Sequence, residues 1–191
     1  MKKIPTLFVR DAEDRRYVTD EVTPGCEWVI TGEGVATRKY DGTCMAKLEG
    51  IGWVARREVK PGKTPPPGFI EVDRDEATGK IVGWEPAQQS SFVKFWREAI
   101  EGKHADHPYG TYELCGPKIN GNPEGFDRHA LISHDRAAKV NLFESVSPDL
   151  GDMEFVFRTI RSWGWEGIVW HHPDGRMAKL KARDFPRPDQ A

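Results

Sequence analysis

The chain has 191 residues, with 28 lysines and arginines against 30 aspartates and glutamates, a formal net charge of -2. With a mean hydropathy of -0.63 and no apolar run near the ~18 residues a spanning helix needs, an integral helical membrane protein is excluded. Three cysteines without a Cys-x-x-Cys pair indicate neither a disulfide framework nor a zinc ribbon, and the near-neutral charge excludes a protein that coats nucleic acid by global electrostatics.

In chain order, Met1–Thr6 is charged and no long apolar segment follows it, which predicts no secretory signal and a cytoplasmic address. A chain of this length buries roughly 70% of its unfolded surface, so one domain over 1–191 is expected without disulfides. Thr43 to Glu49 and Trp53 to Val59 flank Gly50-Ile51-Gly52 and predict a hairpin. Lys60 to Gly68, with three consecutive prolines, reads as an extended surface loop rather than a boundary. Phe92, Phe95, Trp96 and Ile100 recur at helical spacing after Ser90-Ser91, with Gly102 placed as a cap. Gly110 to Gly116 reads as a strand. Met153, Val156, Phe157 and Ile160 form a second helical stripe, introduced by Ser147-Pro148. Glu166 to His171, joined through Pro173-Asp174-Gly175 to Met177–Ala182, predicts a second hairpin. Many strands, two helices and no strand–helix alternation predict an α+β fold of mainly antiparallel sheets.

Chemistry concentrates first in Arg38-Lys39-Tyr40-Asp41-Gly42. An extended chain puts Lys39 and Asp41 on one side, and the glycine permits a turn or a close backbone approach. Such an amine is a nucleophile once it loses a proton whose reference pKa is ~10.4. The quartet alone is weak, since Lys-x-Asp-Gly arises by chance in about one protein in twenty or thirty of this size. Three elements follow it in order: Glu113 as the only charge in its strand, Glu166 at the start of an apolar strand, and Lys179 with Lys181 on one strand face. Singly, each reads as a solvated strand edge or a wet sheet face. Arg176, Lys179, Lys181, Arg183 and Arg187 form one basic group, readable as a solvated face or as a phosphate contact. His104-Ala105-Asp106-His107 and His171-His172-Pro173-Asp174 lie beside Gly or Pro without suitably spaced cysteines, which argues against zinc.

Taken together and in this order, these elements resemble the covalent nucleotidyltransferases, the polynucleotide ligases and messenger-RNA capping enzymes that form a lysyl-nucleotide. Lys39-Tyr40-Asp41-Gly42 resembles the nucleophile motif, and Tyr112-Glu113-Leu114, Glu166-Gly167-Ile168-Val169 and Lys179-Leu180-Lys181 resemble the third to fifth motifs. Phe8-Val9-Arg10-Asp11, Val22 to Trp28, Gly34 to Lys39, Gly116-Pro117-Lys118 and Asn120-Gly121-Asn122 look closer still to the short ATP-dependent RNA ligases, over nearly the whole chain.

The resemblance implies a nucleotidyltransferase (ATP-grasp-like) domain with flanking helices. Only ten residues follow Lys181, so an appended OB-fold is not expected, which argues against a DNA ligase or capping enzyme. It implies that Lys39 attacks ATP, that Lys179 and Lys181 hold the α-phosphate, and that Glu166 serves Mg²⁺ or Mn²⁺. Glu113 and Arg56, with Arg57 competing, are implied at the ribose hydroxyls; Asp41 and Gly42 are implied at the nucleotide site, Asp41 either stabilising the cationic lysine or orienting the metal shell. The implied partner is RNA with 5′-phosphate and 3′-hydroxyl ends. The strand Ala130 to Asp135 lacks the family's base-stacking Phe or Tyr; His134 is the candidate. Two alternatives remain: an RNA-end nucleotidyltransferase using GTP or ATP without sealing, and a non-catalytic module binding nucleotide or RNA ends. The joint presence of Lys39, Glu113, Glu166, Lys179 and Lys181 speaks against the second.

Overall fold

The computed structural model describes residues 2–101, 107–141 and 150–186; Gly102, His104-Ala105-Asp106, Ser147-Pro148 and Arg187 lie outside them. The elements run β1 (Phe8–Arg10), β2 (Val18–Val22), α1 (Glu27–Ile30), β3 (Val35–Lys39), β4 (Thr43–Leu48), β5 (Gly52–Val59), β6 (Ile70–Asp75) and β7 (Lys80–Pro86). They continue with α2 (Val93–Ile100), β8 (Gly110–Cys115), β9 (Ala130–Ser133), α3 (Leu150–Ser162), β10 (Gly167–His171) and β11 (Met177–Lys181). Every named strand pairing is antiparallel, so the class is α+β. No helix among the described residues is long and apolar enough to cross a membrane.

The chain divides into two compact units, Asp41–Arg136 with Met1–Lys3, and Ile4–Tyr40 with Ala137–Ala191. The first is a six-stranded sheet in the order β6-β7-β5-β4-β8-β9. Its β4–β5 hairpin is the one expected around Gly50-Ile51-Gly52, where Gly50 and Gly52 take φ of 70° and 91° that only glycine adopts without strain. Alternation separates the two faces. Met45, Ala55, Tyr112 and Leu114 pack with Trp96 of α2 and with Ile119, while Ala46, Val54 and Trp84 form a smaller cluster on the other face. The triproline segment is an exposed connection between β5 and β6, inside this unit.

The second unit holds a three-stranded sheet, β11-β10-β3, beside the β1–β2 pair. Its hairpin turns at Pro173-Asp174-Gly175, as the sequence predicts. Helix α3 lays Met153, Val156, Phe157 and Ile160, all 4% exposed or less, on Ile168, Trp170 and Leu180. These strand residues occupy even positions of β10 and β11, so the odd positions are left to the opposite face.

Candidate active site

In the second unit β10 is the central strand, and Gly167 pairs with Lys39 of β3 on one side and Lys181 of β11 on the other. Lys39, Gly167 and Lys181 thus form one row on the face away from α3, with Thr37, Val169 and Lys179 in the next row. Two strand spacings of about 4.8 Å separate the two lysines, roughly 10 Å at the backbone. The Glu166 carboxylate fills the interval. Lys39 Nζ donates to its Oε2 at 2.6 Å, and Lys181 Nζ to its Oε1 at 2.5 Å. Glu166 is 9% exposed, and Lys39 and Lys181 are 19% and 16% exposed. Burial pushes the Glu166 carboxyl up, but the two ammonium groups outweigh it and hold the group below its ordinary value.

Gly167 is dictated by packing. A Cβ there would collide with the Leu180 carbonyl oxygen and stand 2.8 Å from the Lys181 Cα, so a side chain would push β11 away from Glu166. Lys179 is half-buried, and its backbone is shared on its outer edge with Pro5 and Leu7. On the opposite face, in register with Ile168, the Arg38 guanidinium lies over the rings of Tyr40 and Trp165, at 4.6 and 4.8 Å from their centroids.

The first unit carries the other expected residues. Glu113 of β8 pairs with Cys44 of β4, and continuing the β4–β5 register by one residue sets Cys44 opposite Arg56. Arg56, Cys44 and Glu113 therefore share one row on the face that α2 leaves open, whereas Arg57 points to the opposite face with its guanidinium 4.0 Å from Glu85. Glu113 is buried at 8% exposure. Its carboxylate meets His134 Nε2 at 3.1 Å, and the other ring nitrogen of His134 is 2.8 Å from the Thr111 hydroxyl. A neutral imidazole donating to Glu113 and accepting from Thr111 satisfies both contacts. His134, the candidate for base stacking, has both ring nitrogens engaged in this way.

Gly42 opens β4, and a Cβ on it would collide with the Leu114 carbonyl and approach the Glu113 Cγ to 2.9 Å. The motif glycine thus lets the β4 start close on the Glu113 strand. Asp41 is held by residues to which the sequence reading gave no role. Asn120 Nδ2 donates to Asp41 Oδ1 and to the Gly42 carbonyl, each at 2.9 Å, and Glu124 Oε1 accepts from the Asp41 N–H at 2.9 Å. The Asn-Gly pair at 120–121 is a turn signal in the sequence, but nothing local announces a partner 79 positions earlier.

Among the described residues no group of three or more His, Cys, Asp or Glu side chains is arranged to hold a metal ion. Glu166 is a single hard oxygen donor, the set by which Mg²⁺ is held together with substrate phosphates rather than in an all-protein cage. Both Glu166 oxygens are taken by ammonium groups, so a cation on this carboxylate would have to displace one of them.

No family model matches the chain. It is 27% identical to proteins named RNA ligase 1 of Rattus norvegicus and Mus musculus over alignments of 174 residues, covering 72% of this chain and 49% of each relative. To the RNA ligase 1 of Pongo abelii it is 28% identical over 136 residues, 55% of this chain and 40% of that protein. The similarity points to a distant RNA-ligase-like relationship. The chain spans about half the length of the curated relatives it matches.

Proposed function

We propose that the chain is an ATP-dependent RNA ligase of nucleotidyltransferase fold, working through a lysyl-AMP intermediate. The observation that carries the reading is the convergence of two lysines from separate strands, Lys39 and Lys181, on the one carboxylate of Glu166. A merely solvated sheet face has no cause to bury two ammonium groups against a single acid.

In the first step the Lys39 Nζ forms a bond to the α-phosphorus of ATP, the bond to the bridging oxygen breaks, and pyrophosphate leaves in line. Lys39 must shed a proton first, and its 2.6 Å contact with Glu166 favours the charged amine. Drawing the Glu166 carboxylate away from Lys39 lets the ammonium release its proton to solvent, and Lys181, which shares that carboxylate, turns to the α-phosphate with Lys179. A divalent cation held by Glu166 would neutralise charge on the phosphates. Glu113 and Arg56 take the ribose hydroxyls, a role that suits a buried carboxylate and a half-buried guanidinium on one sheet row. In the second step the adenylate passes to an RNA 5′-phosphate; in the third a 3′-hydroxyl attacks that phosphate and AMP departs.

The test is incubation with α-labelled ATP and Mg²⁺ or Mn²⁺, denaturation, and detection of label on the polypeptide. Label is expected from the α- but not the γ-position, and Lys39→Ala is expected to abolish it. Undiminished labelling of Lys39→Ala refutes the assignment. An RNA carrying 5′-phosphate and 3′-hydroxyl ends then reports whether sealing follows.

A further inference from the structure

Between β8 and β9 the chain forms a closed loop that reaches the nucleophile motif. Ile119, fully buried, anchors it, and the Asn122 side chain closes it on both the N–H and the carbonyl of Phe126. At its apex Asn120 stands at φ 48°, in the left-handed region. That conformation disfavours a residue with a Cβ, least Asn and Asp, and costs glycine nothing. Glycine would therefore serve the turn better, and what it cannot supply is the carboxamide. Both amide hydrogens of that group are committed, one to the Asp41 carboxylate and one to the Gly42 carbonyl, while Glu124 takes the Asp41 N–H. Three hydrogen bonds thus fix the two residues that complete Lys39-Tyr40-Asp41-Gly42.

We propose that Asn120 is a positioning residue for lysine adenylylation, acting through Asp41 and Gly42 to present the end of the nucleophile motif in one conformation. The assignment rests on the reading of Lys39 as the nucleophile. Asn120 itself touches neither nucleotide nor RNA in this account, so its loss should slow the chemical step and leave ATP binding alone.

Asn120→Gly is the informative variant, because it keeps the backbone geometry, relieves its strain and removes only the carboxamide. Its single-turnover labelling by α-labelled ATP is expected to slow on the order of 10–100-fold, the scale of a misplacement of about 1 Å. The ATP concentration for half-maximal rate is expected to stay within about twofold of wild type, and the thermal midpoint to stay equal or rise. Asn120→Asp, equally tolerant of the backbone but setting a carboxylate against Asp41, is expected to slow labelling at least as much. Labelling near the wild-type rate in both variants overturns the proposal, as does a loss confined to the thermal midpoint or to ATP half-saturation. A wild-type protein that takes no label refutes the lysyl-AMP reading itself, and this assignment with it.

Discussion

Gly167 and Lys181 face each other across an antiparallel pair so closely that a Cβ on the glycine would lie 2.8 Å from the Lys181 Cα. The obstacle is backbone, which cannot swing aside as a side chain does. Gly167→Ala should therefore widen β10 from β11 and part Glu166 from Lys181, with a destabilisation of about 1–3 kcal/mol typical of overpacking. Lysine labelling is expected to fall at least about 100-fold, the cost of a displacement near 1 Å. Thermal unfolding and labelling of the same preparation check both parts; an alanine variant of wild-type stability and rate would show that the strands do not need this approach.

Glu166 couples stability to acid. Burial raises its pKa, but Lys39 and Lys181 lower it further, so the folded value lies below the unfolded one. Its contribution is fully present above the ordinary carboxylate range near 4.3 and is lost as pH falls through the depressed folded value. In a melting series from pH 6 to pH 3, the wild type should lose more thermal stability than Glu166→Gln, which cannot titrate. Parallel curves for the two proteins would mean that the carboxylate is not held by the lysines. Labelling of Glu166→Gln is expected to fail at every pH.

Local patterns made part of this architecture legible. The two hairpins were marked by Gly50-Ile51-Gly52 and Pro173-Asp174-Gly175, and α2 and α3 by apolar stripes at helical spacing. The β6 strand, Ile-Glu-Val-Asp-Arg-Asp, escaped because an edge strand exposed at four of its six positions reads as a charged loop. The β1–β2 pair and the four-residue α1 are too short to show a period. Within the site, each residue type could be recognised, but the pairing of Lys39 with Gly167 spans 128 positions, and register at that range is set by burial of the whole sheet. Asn120 escaped for the same reason: its turn is a local signal, its grip on Asp41 is not.

His172 predicts a second pH effect of opposite sign. It sits 2.9 Å from Glu33 and 2.7 Å from Asp174. The bond to Glu33 raises its pKa most, burial opposes, and Asp174 adds to the rise, while the Asp174 carboxyl is pulled down to about 2, chiefly by the Arg176 backbone N–H. A raised folded value stabilises fully below the ordinary ~6.5 and is lost as pH climbs through that folded value. Proton NMR titration should place the His172 midpoint above that of a reference histidine, and Glu33→Gln should bring it back down. A midpoint at or below the reference value would disprove the contact in solution.

Asp184 should prove one of the most costly single side chains to remove outside the apolar core. It is 2% exposed, and its two oxygens are divided between the Arg10 guanidinium, at 2.8 Å, and the Lys181 backbone N–H, at 2.8 Å. Removing one partner of a buried pair costs about 3–5 kcal/mol. Arg10 is 29% exposed and can recover some hydration, which lowers the expectation for Asp184→Ala to about 2–3 kcal/mol, a fall of roughly 4–12 °C in thermal midpoint for a chain of this size. The exposed Glu154–Arg158 pair one helical turn apart on α3 is the internal contrast. Arg158→Ala should cost no more than about 0.5 kcal/mol, because water replaces what such a pair provides. Since the Lys181 N–H also loses its acceptor in Asp184→Ala, labelling should weaken with stability there and remain unchanged in Arg158→Ala; equal midpoints for the two variants would refute the burial argument.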